Sequence, residues 1–134
     1  MVSSYFQARE PGSTMLSEAT MNGNDLVAER RGLLERELNR TVRLLRDEYG
    51  ANVIVLFGST AANSIHEWSD LDIVVIKETE RRFLDRIKDV IELVKPRVGT
   101  DIIVYTPDEF AQLVRERPFV REEILAKGKV LYAK

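Results

Sequence analysis

Two short apolar runs limit the fold more than anything else in the chain: Asn52-Val-Ile-Val-Leu-Phe57 and Asp70-Leu-Asp-Ile-Val-Val-Ile76. Both are rich in β-branched residues, which are stiff at χ1 and pack well on a pleated surface. Both are also of strand length, so they read as buried strands. The first runs into the turn Gly58-Ser59, and Thr60 to Ile65 beyond it is long enough for one or two helical turns. Asp101-Ile-Ile-Val-Tyr105 is a third strand, and Lys129-Val-Leu-Tyr132 reads as a terminal edge strand.

Between these runs the apolar period lengthens to three or four residues. Leu34, Leu38, Val42, Leu45 and Tyr49 place a helix over Leu26 to Tyr49, with Asp25 as N-cap, Gly50 as the residue after its C-cap, and a solvated Arg/Glu face from Glu29 to Glu48. Thr79 is expected to cap a helix whose stripe is Phe83, Ile87, Val90, Ile91 and Val94, closed by Pro96 and Gly99. Thr106-Pro-Asp-Glu109 has the form of a capping box with proline at the first helical position, opening a helix that carries Phe110, Leu113 and Val114. Pro118 starts another, with Phe119, Val120, Ile124 and Leu125, stopped by Gly128. Strands and helices in this order predict an α/β (α+β) domain.

That domain is expected over residues 26–134. Residues 1–25 mix Ser, Thr, Gly, Asn and Pro without a sustained period and are expected to be a disordered tail. A formal net charge of −2 supplies no basic field, which argues against long nucleic acid as a partner. The chain has no cysteine, which excludes disulfides, thiolate metal sites and cysteine nucleophiles. With no apolar run of membrane-spanning length and no signal-type start, the expected location is cytoplasmic, away from membranes.

The chemistry concentrates in three acids at strand starts: Asp70, Asp72 and Asp101. Side chains alternate along a strand, so Asp70 and Asp72 share one face while Leu71, Ile73 and Val75 take the other. Carboxylates gathered on one face repel, and a hard cation such as Mg²⁺ relieves that repulsion. Three such groups suit two metal ions about 3.5–4 Å apart, as used for in-line displacement at phosphorus. Gly58-Ser59 precedes Asp70 by ten residues. Glycine lets the backbone approach a ligand, and Ser59 adds a hydroxyl at the start of a short helix whose free N–H groups can hold a phosphate.

The combination of a strand ending in Gly58-Ser59, ten residues, Asp70-x-Asp72 and a later strand headed by Asp101 resembles the G-S-x(10)-D-x-D signature of polymerase β-like nucleotidyltransferases, in their minimal form. The likeness runs from about Leu26 to Lys134, including the closing Phe119-to-Tyr132 stretch. It implies a mixed β-sheet flanked by helices, Mg²⁺ held by Asp70, Asp72 and Asp101, and the triphosphate of ATP or another NTP held by Gly58 and Ser59. Asp101 would also help deprotonate the acceptor hydroxyl. Where many minimal members carry arginines and a second glycine after Gly-Ser, this chain has Thr60, Ala61, Ala62 and Asn63. Asn63 tolerates the left-handed conformation of a glycine, and Lys77 or Arg97 is left to neutralise phosphate. Trp68 is expected to pack at the core edge, with stacking on a base as the alternative, and His66, the only histidine, to lie at the surface.

The resemblance further implies an acceptor on another molecule, since the residues after Asp72 are taken up by the sheet and its helices. Small members of this kind pair with HEPN-type ribonuclease toxins and act as antitoxins. The expected activity is transfer of AMP from ATP to a hydroxyl, a tyrosine, on such a toxin, within a homo- or hetero-oligomer. The alternatives are transfer to a small hydroxylated molecule such as an aminoglycoside, and an antitoxin that acts by binding alone.

Overall fold

The computed structural model of the protein describes residues 25–61 and 70–134. The apolar runs form four strands: β1 (Val53–Phe57), β2 (Leu71–Ile76), β3 (Thr100–Tyr105) and β4 (Lys129–Ala133). They make one mixed sheet in the order β3-β2-β1-β4, with β1 antiparallel to β2 and β4, and β2 parallel to β3. Leu71 N–H donates to the Gly99 carbonyl (3.0 Å) and Lys77 N–H to the Tyr105 carbonyl (2.9 Å), closing the parallel pair at both ends.

Helices cover both faces of the sheet. On one, Leu71, Ile73 and Val75 of β2 pack with Leu34, Leu38 and Leu45 from the first helix and with Val90 and Val94 from the third. These elements are α1 (Asp25–Leu44), which runs on into a π-helical turn at Leu45–Tyr49, and α3 (Phe83–Val94). On the other face, Val53, Val55, Val74 and Ile76 lie under Phe110 and Val114 of α4 (Pro107–Glu116) and under Val120 and Ile124 of the π-helical segment Val120–Ala126. A four-residue α2 (Gly58–Ala61) follows β1 directly.

The capping box of α4 forms as the sequence predicts, with Thr106 and Glu109 bonded reciprocally and Pro107 at the first helical position. Gly50 ends the α1 unit in the left-handed region (φ 79°). Three expectations change. Thr79 does not cap α3: its hydroxyl accepts from Arg81 N–H in a turn, and Arg82 stands at the N-cap. The buried stripe of α3 is Arg86, Val90 and Val94, an i, i+4, i+8 row, while Phe83 and Ile91 are outside it. The helix is rotated because the Arg86 guanidinium is drawn inward to the Glu109 carboxylate (2.7 Å). Nor is the charged face of α1 wholly solvated: Glu37 is 4% exposed, pairs with Arg40 and accepts from Arg97 N–H (3.2 Å), tying α1 to the turn before β3. The expected tail and the residues Asn63, His66 and Trp68 lie outside the described residues, apart from Asp25 at the start of α1.

Candidate active site

Strand register assembles the site. Phe57, Asp72 and Asp101 are lateral partners on β1, β2 and β3, one row across the sheet. Because β2 and β3 are parallel and begin together, both carboxylates emerge at the same sheet end, where β1 finishes in Gly58. Alternation puts Asp72 on the α4 face with Val74 and Ile76, since Leu71, Ile73 and Val75 fill the core under α1.

Gly58 is needed twice over. Its φ of +79° is a conformation L side chains rarely adopt, and a Cβ there would overlap the Asp72 carboxylate. The carboxylate therefore lies against bare backbone at the β1–α2 turn. Ser59 follows as the second residue of α2, at the same end of the sheet.

Asp70 is held by different means. The buried Thr60 hydroxyl donates to the Asp70 carbonyl (2.8 Å), and the side chain rests on Gly99, where a Cβ would collide with it. Arg30 of α1 reaches its carboxylate with Nη2 at 3.4 Å from Oδ1, the two side chains being 20% and 55% exposed. Sequence reasoning passed over these residues: Thr60 as a departure after Gly-Ser, Gly99 as a helix stop, Arg30 as solvated surface. A hydroxyl among small residues directly after the turn was the only local signal; the other two contacts are long-range.

The electrostatics single out Asp72. Burial pushes its carboxyl above the usual aspartate range, and the neighbouring charge of Asp101, a hydrogen bond shared with Asp101, and the charge of Asp70 push it further the same way. Like charges held together favour a retained proton or a bound cation. The donor set, carboxylate oxygens on two rigid strands, fits a hard divalent ion at Asp72 and Asp101. Among the described residues no group of three or more acidic or histidine side chains converges closely enough to hold a metal, because Asp70 is turned towards Gly99 and Arg30. The structure thus brings Asp72 and Asp101 together and leaves Asp70 beside them.

A groove of about 570 Å³ opens at the pair, with Phe57, Phe119, Ile87, Ile91 and Ile103 among its walls. Phe57 and Phe119 meet edge to face at 6.3 Å. The cations proposed from sequence lie elsewhere. Lys77 follows the far end of β2, where its ammonium donates to the Tyr49 carbonyl (2.6 Å) and stands over the Tyr49 ring (4.8 Å). Arg97 sits in the turn bonded to Glu37.

Among the described residues no helix is long and apolar enough to cross a membrane. A family model described as polymerase beta, nucleotidyltransferase matches residues 39–134. Among solved structures, the chain is similar to one described as a crystal structure of a toxin-antitoxin with AMP-PNP, at 22% identity and a TM-score of 0.48, covering 72% of this chain and 73% of that one. No curated protein sequence matches the chain.

Proposed function

Since the chain belongs to the polymerase β nucleotidyltransferase family, we propose that it moves a nucleoside monophosphate, AMP, from ATP onto a hydroxyl of a partner protein. The observation that carries the reading is the lateral pairing of Asp72 with Asp101 beside the bare backbone of Gly58. It packs clustered carboxylates against the β1–α2 turn within one row of the sheet.

Asp72 and Asp101, with Asp70 alongside, would hold Mg²⁺, which when bound neutralises phosphate charge and acts as a Lewis acid. Gly58 and Ser59 would hold the triphosphate at the turn, the Ser59 hydroxyl donating to one of its oxygens. The acceptor oxygen attacks the α-phosphorus, its proton passing to the Asp101 carboxylate. The bond from phosphorus to the bridging oxygen breaks, and pyrophosphate leaves with that electron pair. The apolar groove walls suit an acceptor residue with an apolar body.

Every element from α3 to β4 packs on the sheet or extends it, leaving the groove at Asp72 and Asp101 open for an acceptor. Together with the minimal G-S-x(10)-D-x-D pattern, this favours an antitoxin role, with a HEPN-type toxin as acceptor. The test is to incubate the chain with each labelled NTP, Mg²⁺ and the co-encoded protein. The reading expects that protein to gain the mass of one nucleoside monophosphate, with ATP the best donor. No gain with any NTP contradicts it.

A further inference from the structure

A triphosphate brings several negative charges to a sheet end that already carries three carboxylates, so a cation of the chain near it would add to the neutralisation that Mg²⁺ supplies. None comes from the turn or the segment after it, because residues 58 to 69 contain no lysine or arginine. Lys77 is engaged at the opposite end of β2, and Arg97, whose backbone N–H donates to Glu37, acts with its charge on that carboxylate. The fold brings Arg30 to Asp70, from a helix on the other side of the sheet and outside the span matched by the family model.

Its contact with Asp70 is a long one. Arg30 meets Asp70 at 3.4 Å, against 2.8 Å for Arg46 with Asp47, 2.9 Å for Arg81 with Asp89 and 2.7 Å for Arg86 with Glu109. More than half of the Asp70 side chain is exposed, and a pair of that kind adds little to folding. Arg30 itself is only one-fifth exposed, which confines its guanidinium to the neighbourhood of the acids. A planar fork of donors at the acid end of the sheet matches phosphate oxygens in shape and charge.

We propose that Arg30 is the triphosphate-binding cation of this site, resting on Asp70 until an NTP arrives and then donating to its phosphate oxygens. The proposal rests on the reading of the site as one for NTP. In the resting protein Arg30 pairs with Asp70; when a triphosphate is bound, the guanidinium donates to this more highly charged ligand.

The experiment is equilibrium titration of the full chain with ATP and with AMP, in Mg²⁺, for wild type, Arg30→Met and Arg30→Lys. Arg30→Met is expected to weaken ATP about 10- to 100-fold, the loss of a hydrogen bond to a charged group, and to leave AMP within about twofold, since a single phosphate lacks the distal charge. Arg30→Lys restores part of the ATP affinity. Unchanged ATP affinity in Arg30→Met, or equal weakening of ATP and AMP, overturns the proposal. Should Arg30→Met fail to fold, the Arg30 guanidinium NMR signals of the wild type decide: they shift on adding ATP, and signals that ignore saturating ATP overturn it. A wild type that binds no triphosphate overturns the nucleotidyltransferase reading as well, and so separates the two failures.

Discussion

Strand β3 has an ionisable cluster at each end, and the two are built in opposite ways. At the Tyr105 end, the almost buried Arg86 guanidinium donates to Glu109 (2.7 Å), the Val104 carbonyl (3.3 Å) and the Arg81 carbonyl (2.8 Å), and Glu109 accepts in turn from Thr106 N–H (2.8 Å). Arg86 pulls the Glu109 carboxyl below its usual range. At the Asp101 end, Asp72 faces Asp101 with Asp70 beside them paired to Arg30, and burial with like charge pushes the Asp72 carboxyl the other way. A fold gains nothing from such repulsion, whereas a cation-dependent reaction needs it. The compensated end joins α3, β3 and α4; the uncompensated end is the one left for a ligand.

The difference can be broken most forcefully at Asp101. Asp101→Asn removes the proton acceptor and is expected to slow single-turnover transfer by about 10²–10⁴ while nucleotide affinity stays within a few-fold. Asp72→Asn, by contrast, damages binding and transfer together. Transfer at the wild-type rate in Asp101→Asn would reduce Asp101 to a strand-starting residue.

At the compensated end the expected loss is stability, not catalysis. Glu109→Ala leaves the Arg86 guanidinium buried without its carboxylate and removes half of the capping box. Urea unfolding should show a loss of about 2–4 kcal/mol, below that of a fully buried pair because the Glu109 side chain is 42% exposed. The folded fraction keeps its transfer rate. A rate loss as large as that of Asp101→Asn would mean that the two ends are coupled.

Ser59→Ala sharpens the comparison by the smallest step. One hydroxyl contact to phosphate disappears while the backbone of the turn remains, so kcat/KM for the nucleotide falls by roughly 1.5–3 kcal/mol with no change in urea midpoint. No effect would place the triphosphate away from Ser59.

Local signals were legible where one residue sets its own surroundings. Runs of valine and isoleucine marked the strands to within a residue or two, and the capping box of α4 and the left-handed Gly50 were readable from residue type. Gly58 followed from turn chemistry, and the side of β2 that Asp72 takes from strand alternation, whereas Asp70 precedes β2 and is turned towards Gly99 and Arg30. What alternation could not give was strand order, and with it the Asp72–Asp101 row, since that pairing joins residues on separate strands across an intervening helix. The same limit hid Arg30, Glu37 and Arg86. Each looks like a helix-surface charge until the partner is known, and the Arg86–Glu109 pair also accounts for the rotated stripe of α3.

The central claim is that the uncompensated end is a cation site, and the Asp72 carboxyl reports on it directly. Its pKa is raised above the ordinary 3.8 of aspartate in the metal-free protein. Ionising it therefore costs stability, a cost absent below the ordinary aspartate range, growing as pH rises towards the raised pKa and fully present above it. A bound divalent ion favours the carboxylate and reverses the shift. The measurement is a pH titration of the Asp72 side-chain carboxyl by ¹³C NMR, without Mg²⁺ and then with Mg²⁺ and ATP. The prediction is a midpoint above the usual range in the first case and well below its metal-free position in the second. A midpoint that is the same in both contradicts the account.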